Sequence, residues 1–174
     1  LKQSKLLRRR ADALDAFEKR LAYAQAHLDE PAICDRPPLR LLRPSLSELS
    51  AADMESRRSL DAFIAAMPDT RISFARALAP KSEKHFRLCA DEAACAASDL
   101  PLEHTAGLPS ARCVRVIHRF ACQPWDDEAV PEILACAQKA GHAVRVDGEL
   151  FGLHLASETS EGKVSLYAAV YLPI

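Results

Sequence analysis

The order strand, helix, strand, strand can be traced twice along this sequence, and this duplication constrains the fold more than any other feature. In the second series, segment 111–120 is dense in valine, isoleucine and phenylalanine, which predicts a central strand. Asp126 or Asp127 can cap the helix that follows, and 149–156 with 164–172 predict a closing hairpin around Gly162. The inward-facing helix residues are Val130, Ile133, Leu134 and Ala137, with Gly141 at the C-terminal exit.

The first series is shorter but has the same order. A strand is predicted at 39–42, a helix over 50–67 from an N-cap at Ser50 to a stop at Pro68, and a hairpin of strands at 71–79 and 85–89. The alanine-rich stretch 91–98 favours no element, and 101–109 is predicted to be a loop. Two such units related by a pseudo-dyad give an α+β fold, in which one antiparallel sheet is backed by two helices and a groove lies where the units meet.

Leucine recurs at every seventh position in the N-terminal segment, at Leu7, Leu14, Leu21 and Leu28. This pattern predicts one amphipathic helix over 1–29, closed by Pro31, and its heptad period favours a coiled coil that forms a homodimer. The alternative is a helix that packs on its own domain. We therefore expect a dimerisation helix at 1–30 and one further domain at 31–174, which begins with the proline-rich linker 31–44.

The net charge of −1 supplies no strongly basic face, so DNA contact is expected only through a domain not present in this chain. Because the chain starts at Leu1 and not at Met, we expect it to be a piece of a longer protein. No apolar run is long enough for a membrane span, and no signal peptide is apparent. The six cysteines lack the spacing of a disulfide framework, which predicts reduced thiols in a cytoplasmic protein.

The closing strand places Ser165, Tyr167, Ala169 and Tyr171 on one face, and its other face is apolar core. Tyrosines combine an apolar ring with a phenol, so this face suits a pocket for aromatic ligands, although surface tyrosines are also common on strands. Trp125 lies in the loop before the second helix, where it either lines a groove or covers the end of the core.

Histidines at 85, 104, 118 and 154 together with the cysteines raise the question of a metal site. Neither a Cys-x-x-Cys nor a His-x-x-x-His spacing is present, so no metal site is predicted. The sequence also lacks a Walker A motif, a dinucleotide fingerprint and a Gly-x-Ser-x-Gly elbow. We therefore expect no cofactor and no conventional catalysis.

Four stretches, LPSARCVRVIHRF, CQPWDDEAVPEILACAQKAGHAV, DGELFGLHL and KVSLYAAVYLPI, resemble the C-terminal half of a GyrI-like effector-binding domain. Together with the leucine-rich helix ahead of it, this domain resembles the C-terminal part of a multidrug-sensing MerR-family transcriptional regulator. The resemblance implies that a separate N-terminal winged helix reads DNA, that the long helix dimerises in antiparallel fashion, and that the GyrI-like domain binds a small-molecule effector.

The resemblance also implies a ligand site formed by Trp125, Phe151, His154, Tyr167 and Tyr171. Trp125 stands where family members carry a cavity-lining aromatic residue. Two family positions that are often acidic are Gly152 and Ala169 here, which weakens the expectation of a cationic ligand. Glu149 and Glu103 are the candidates to replace those carboxylates.

Two other functions are compatible with the sequence. Some stand-alone GyrI-like proteins that resemble this domain hydrolyse reactive small molecules with a pocket glutamate, a role that the residues at 152 and 169 argue against. A module that binds a partner protein would instead show a shallow groove with an exposed apolar patch. The preferred prediction is the effector-binding and dimerisation portion of a MerR-type regulator.

Overall fold

The computed structural model describes residues 2–48, 53–78, 82–121 and 129–174, with the backbone alone described for 2–6, 9 and 10. The elements in chain order are α1 (Lys2–Ala26), β1 (Ala32–Arg36), β2 (Leu39–Leu42), α2 (Met54–Ala65), β3 (Arg71–Ala77), β4 (His85–Ala90), α3 (Glu92–Ala97), β5 (Thr105–Leu108), β6 (Ala111–Ala121), α4 (Ala129–Lys139), β7 (Glu149–Ser160) and β8 (Lys163–Pro173).

The strands form one antiparallel sheet whose order reveals the internal duplication. The order is β1-β6-β8-β7-β3-β4-β2-β5, so the triplet β6-β8-β7 of the second unit is mirrored by β3-β4-β2 of the first. The pseudo-dyad passes between β7 and β3, where Ser73 pairs with Leu153. The predicted α+β fold with two strand-helix-strand-strand units is confirmed.

The two ends of the sheet are joined by a ladder that the sequence did not reveal. Arg36 of β1 lies opposite Ala111 of β6, and Leu39 of β2 lies opposite Leu108 of β5, so one register continues across both pairs. The ladder is interrupted only around Pro37 and Pro38, which have no N–H to donate. The predicted linker at 31–36 and the predicted loop at 105–108 are therefore strands, and the sheet curls until its ends meet.

The helices of the two units cover the outer face of the curled sheet. Helix α4 packs Ile133 and Ala137 against strands of the second unit, and α2 packs Phe63 against strands of the first. Asp53 caps α2 through Ser56 N–H, whereas the predicted cap Ser50 lies outside the described residues. Gly141 ends α4 with a φ of 81°, as predicted.

Helix α1 lies against the opposite, inner face, which changes the interpretation of its leucines. Leu21 and Leu28 pack with Ile117 and Tyr167 of the sheet, while Leu7 and Leu14 are 64% and 63% exposed. The helix ends at Ala26, because the next residues pair with β6 and the Asp29 N–H donates to the Ile117 carbonyl at 2.8 Å. A coiled-coil seam through all four leucines is thus not seen, since two of them belong to the domain core.

Candidate ligand site on the inner face of the sheet

The inner face has an apolar floor assembled from strands that are distant in the sheet order. Leu39 from β2 and Cys89 from β4 belong to the same buried cluster as Tyr171 from β8, which is possible only because the sheet curls. Phe151, Leu153 and Ala169 complete the middle of this floor. As predicted, Tyr167, Ala169 and Tyr171 share this face of β8, while Ala168, Val170 and Leu172 enter the outer core.

One end of this face, which we call the open end, forms a cavity of about 250 Å³. Phe151 and Tyr171 face each other across β7 and β8 with ring centroids 6.4 Å apart. Burial raises the pKa of the Tyr171 phenol to about 12, so this hydroxyl stays neutral at physiological pH. The cavity is lined by both rings and by Arg36, Cys113, Arg145 and Glu149.

Arg36 gives the open end its main polar feature. Its guanidinium lies 5.1 Å from the Phe151 ring centroid, a cation–π arrangement, and Nη2 donates to the Pro109 carbonyl at 2.6 Å. Its Nε is buried and has no hydrogen-bond partner. Burial lowers the pKa of Arg36, but a guanidinium remains charged in proteins. The open end therefore combines aromatic rings with a half-buried cation.

The other end, which we call the closed end, is covered by α1. Tyr167 is 3% exposed beneath Ala24, and its hydroxyl donates to Glu158, which also accepts from Gln25 Nε2 at 3.0 Å. Burial and the bond to Glu158 raise the pKa of Tyr167. These hydrogen bonds and apolar contacts hold α1 against β7 and β8.

His154 belongs to the closed end as well. It lies on β7 at a register shift and its Nε2 is 2.9 Å from the Ser157 hydroxyl. Burial lowers the pKa of His154, and the cations Arg20 of α1 and Arg71 of β3 lower it further. The neutral imidazole is the form that the closed end favours.

The structure brings only part of the predicted site together. Phe151 and Tyr171 meet in the cavity, whereas Tyr167 and His154 lie at the end that α1 covers. Trp125 lies outside the described residues.

The two positions compared with family carboxylates differ in orientation. A Cβ added to Gly152 would come within 1.3 Å of Phe74 in the outer core, so this position faces away from the cavity. Ala169, in contrast, is buried in the inner floor. Of these two positions, only 169 faces the inner side of the sheet. An acidic side chain there would lie in the floor, and this chain has alanine instead.

Sequence reasoning missed Arg36 and Arg115, which are the most informative polar groups of this face. Arg36 was assigned to a linker, and Arg115 lies in a strand that was interpreted only as core. Arg115 pairs with Tyr171 across β6 and β8, and its guanidinium lies 5.5 Å from the ring of Tyr23 in α1. An arginine between buried apolar residues of a strand was the available signal.

Other chemistry finds little support within the described ranges. The five cysteines described, Cys34, Cys89, Cys95, Cys113 and Cys136, are free thiols, in agreement with the predicted reduced state. No cluster of three or more histidine, cysteine or carboxylate side chains in this part of the chain could hold a metal ion. No helix among the same residues is long and apolar enough to cross a membrane.

A curled sheet built from two strand-helix-strand-strand units, with helices outside and a cavity inside, defines the GyrI-like fold, as the sequence predicted. The C-terminal domain of EcmrR shares this fold at a TM-score of 0.50 and 10% identity, with 83% of this chain and 96% of that one covered. A hydrolase from Listeria innocua matches at a TM-score of 0.49 and 11% identity, covering 90% of this chain and 97% of that one. No protein-family model and no curated protein matches the sequence.

Proposed function

We propose that this chain is the effector-binding and dimerisation portion of a MerR-type transcriptional regulator, and that a small aromatic or apolar molecule binds on the inner face. The observation that carries the proposal is the cavity of about 250 Å³ lined by Phe151 and Tyr171 in a GyrI-like fold. Ligand sites are concave and combine apolar or aromatic walls with polar groups that orient the ligand, and this cavity sets two aromatic rings beside the charged side chains of Arg36, Arg145 and Glu149.

The predicted site residues take two different parts in this proposal. Phe151 and Tyr171 contact the effector directly, while Tyr167 and His154 respond to it through α1. Arg115 connects the two parts, because it pairs with Tyr171 in the sheet and lies over Tyr23 of the helix. Trp125 is proposed as a further contact, in line with its predicted loop position.

Such a connection meets the basic requirement of allostery. An effector shifts an equilibrium only if it binds one arrangement of the helix better than the other. A bound ligand draws Tyr171 or Arg115 toward the cavity. This movement changes the contact between Arg115 and Tyr23 and thereby favours one position of α1.

The homodimer is proposed to form through the N-terminal part of α1. Leu7 and Leu14 are exposed on this helix, and apolar side chains at heptad spacing are suited to a second copy of the helix. DNA contact is proposed only through a domain outside this chain. Sedimentation velocity of a Leu7→Ser, Leu14→Ser double variant should show a loss of dimer, and an unchanged dimer would contradict this part.

The alternatives have weaker support. Glu149 is the carboxylate that lines the cavity among the described residues, but it is exposed at the mouth beside Arg145. A hydrolase would need a carboxylate held against the bound substrate, so we propose a binding domain and no enzyme.

The direct test is isothermal titration of the full chain with a panel of single-ring aromatic compounds. Saturable binding by the wild type, lost in Phe151→Ala, is the expected result. An Ile64→Ala variant on the exposed surface of α2 serves as control and should bind normally. Absence of binding by every compound to a folded wild type would overturn the proposal.

A further inference from the structure

The inner face between its two ends carries an excess of positive charge. Five arginines lie on this side of the sheet, namely Arg36, Arg71, Arg87, Arg115 and Arg119. Arg71 is 3.9 Å from Asp91. The carboxylates that the described strands place on this face are Glu149, at the mouth of the cavity, and Glu158, which is already bound by Tyr167 and Gln25.

The guanidinium of Arg36 lines the cavity, and not all of its N–H groups are used in hydrogen bonds. An arginine carries five N–H groups in one plane, and the Pro109 carbonyl accepts from Nη2. The Nε is buried without a partner, which is costly because a buried donor has lost its bonds to water. The donors that a ligand oxygen in the cavity can use are the N–H groups of Nη1 and Nη2 that do not bond to Pro109.

The mouth of the cavity adds further positive charge to that of Arg36. Arg112 and Arg145 line it together with Arg36, and the opposing charge among the lining residues is Glu149. Arg112 is 3.9 Å from Asp35 and Arg145 is 3.3 Å from Asp147, both on the exposed surface, where solvent weakens such pairs. A cationic ligand would meet three guanidinium groups here, whereas an anion would be attracted.

We propose that the effector of the open end is a small aromatic carboxylate, an inference that rests on the proposed effector-binding function. Its carboxylate accepts hydrogen bonds from Arg36, and its ring lies against Phe151 and Tyr171. A planar guanidinium matches the two oxygens of a carboxylate and is less strongly hydrated than an ammonium group, which makes arginine suited to this task.

The size of the cavity limits the ligand further. A volume of about 250 Å³ is at or below the small end of the range typical of ligand pockets, so one ring fits better than a fused polycyclic compound. Benzoate, benzamide and benzylamine have nearly the same shape and differ in charge. They are therefore matched probes of the anionic, neutral and cationic alternatives.

The experiment is isothermal titration of the full chain with these three compounds. Benzoate should bind at least tenfold more tightly than benzamide, and benzylamine should bind more weakly than either. Raising the salt concentration should weaken the binding of benzoate and leave that of benzamide nearly unchanged. Equal affinities for benzoate and benzamide, or a preference for benzylamine, would overturn the inference.

Variants localise the charge preference. Arg36→Gln should lower the affinity for benzoate at least tenfold, and Arg58→Gln on α2, outside the cavity, is the matched control that should leave it unchanged. Glu149→Gln should raise the affinity two- to threefold, because it removes the opposing charge without disturbing a buried group. If Arg36→Gln does not fold, Glu149→Gln and the salt dependence decide the question.

Two failures are distinguishable. If benzamide or benzylamine binds as well as benzoate and loses binding in Phe151→Ala, the cavity is a ligand site and only the charge assignment is wrong. If no compound of the aromatic panel binds to the folded chain, the proposed function itself fails.

Discussion

The two ends of the inner face place similar residues of the same strands in different surroundings. Tyr167 and Tyr171 lie on one face of β8, about 13 Å apart at the usual rise of a strand, and both are mostly buried. At the closed end, Tyr167 is covered by Ala24 of α1 and its hydroxyl is bound to Glu158. At the open end, Tyr171 borders a cavity that also contains the guanidinium of Arg36.

Burial alone does not distinguish the packing role proposed for Tyr167 from the ligand-binding role proposed for Tyr171. Tyr167 is 3% exposed and Tyr171 is 9% exposed, so the two values are nearly the same. The two tyrosines differ in their neighbours. Tyr167 packs against Ala24 of α1, whereas Tyr171 shares the cavity with Arg36, whose Nε has no hydrogen-bond partner. We expect the closed end to supply stability and the open end to supply binding.

The largest expected effect is the loss of stability in Ile117→Ala. Ile117 is fully buried between the sheet and Ala24, and truncation of a buried isoleucine to alanine leaves a cavity that costs about 3 kcal/mol. The free energy of unfolding is measured by urea denaturation. Val164 on the neighbouring strand β8 is 38% exposed in the wild type, and Val164→Ala should cost less than about 0.5 kcal/mol. Similar losses in both variants would remove the distinction between core and surface at the closed end.

A smaller effect is expected for Tyr167→Phe. The change keeps the ring and removes the hydrogen bond to Glu158, which should cost about 1 kcal/mol in the free energy of unfolding. The affinity for benzoate should stay within twofold of the wild type, because Tyr167 does not line the cavity. A loss of benzoate binding in this variant would show that the two ends form one site.

The smallest expected effect is on the pH dependence of stability. The pKa of His154 is lowered in the folded state from its ordinary value of 6.5, so the unfolded chain binds more protons just below pH 6.5. Unfolding therefore becomes easier as the pH falls from 6.5 toward the folded pKa, and the contribution is fully present above 6.5. For one proton, the slope is at most about 1.4 kcal/mol per pH unit.

The measurement is a series of urea titrations of the wild type and of His154→Gln between about pH 5 and pH 7.5. Because the other histidines contribute to both proteins, the difference between the two curves isolates His154. We expect the variant to lose less stability than the wild type on acidification. Parallel curves would mean that neither burial nor the cations Arg20 and Arg71 lower the pKa of His154 in the folded protein.

The sequence predicted the duplicated units because periodicity within a strand or helix is a local property. Strands β1 and β5 were missed, since Pro31, Pro37 and Pro109 border them and proline favours loops. These short strands are stable only through their shared ladder, which joins residues about 70 positions apart, as with Leu39 and Leu108. No local pattern reveals such a pairing.

The candidate site was predictable only in part for a similar reason. Alternation placed Tyr167 and Tyr171 on one face, but it could not show that Leu21 of α1 and Leu28 just after the helix would cover the first of them. A heptad indicates an apolar stripe without specifying its partner. Arg36 was overlooked because its role depends on the curl that brings it above Phe151.

The central claim is that a small molecule at the open end is sensed by α1 at the closed end. Hydrogen–deuterium exchange of the full chain, with and without the aromatic panel at saturating concentration, tests it most directly. We predict changed exchange in β7 and β8 around Phe151 and Tyr171 and, in the same samples, in α1 around Tyr23. Exchange that is unchanged at both places in the folded protein for every compound would contradict the account.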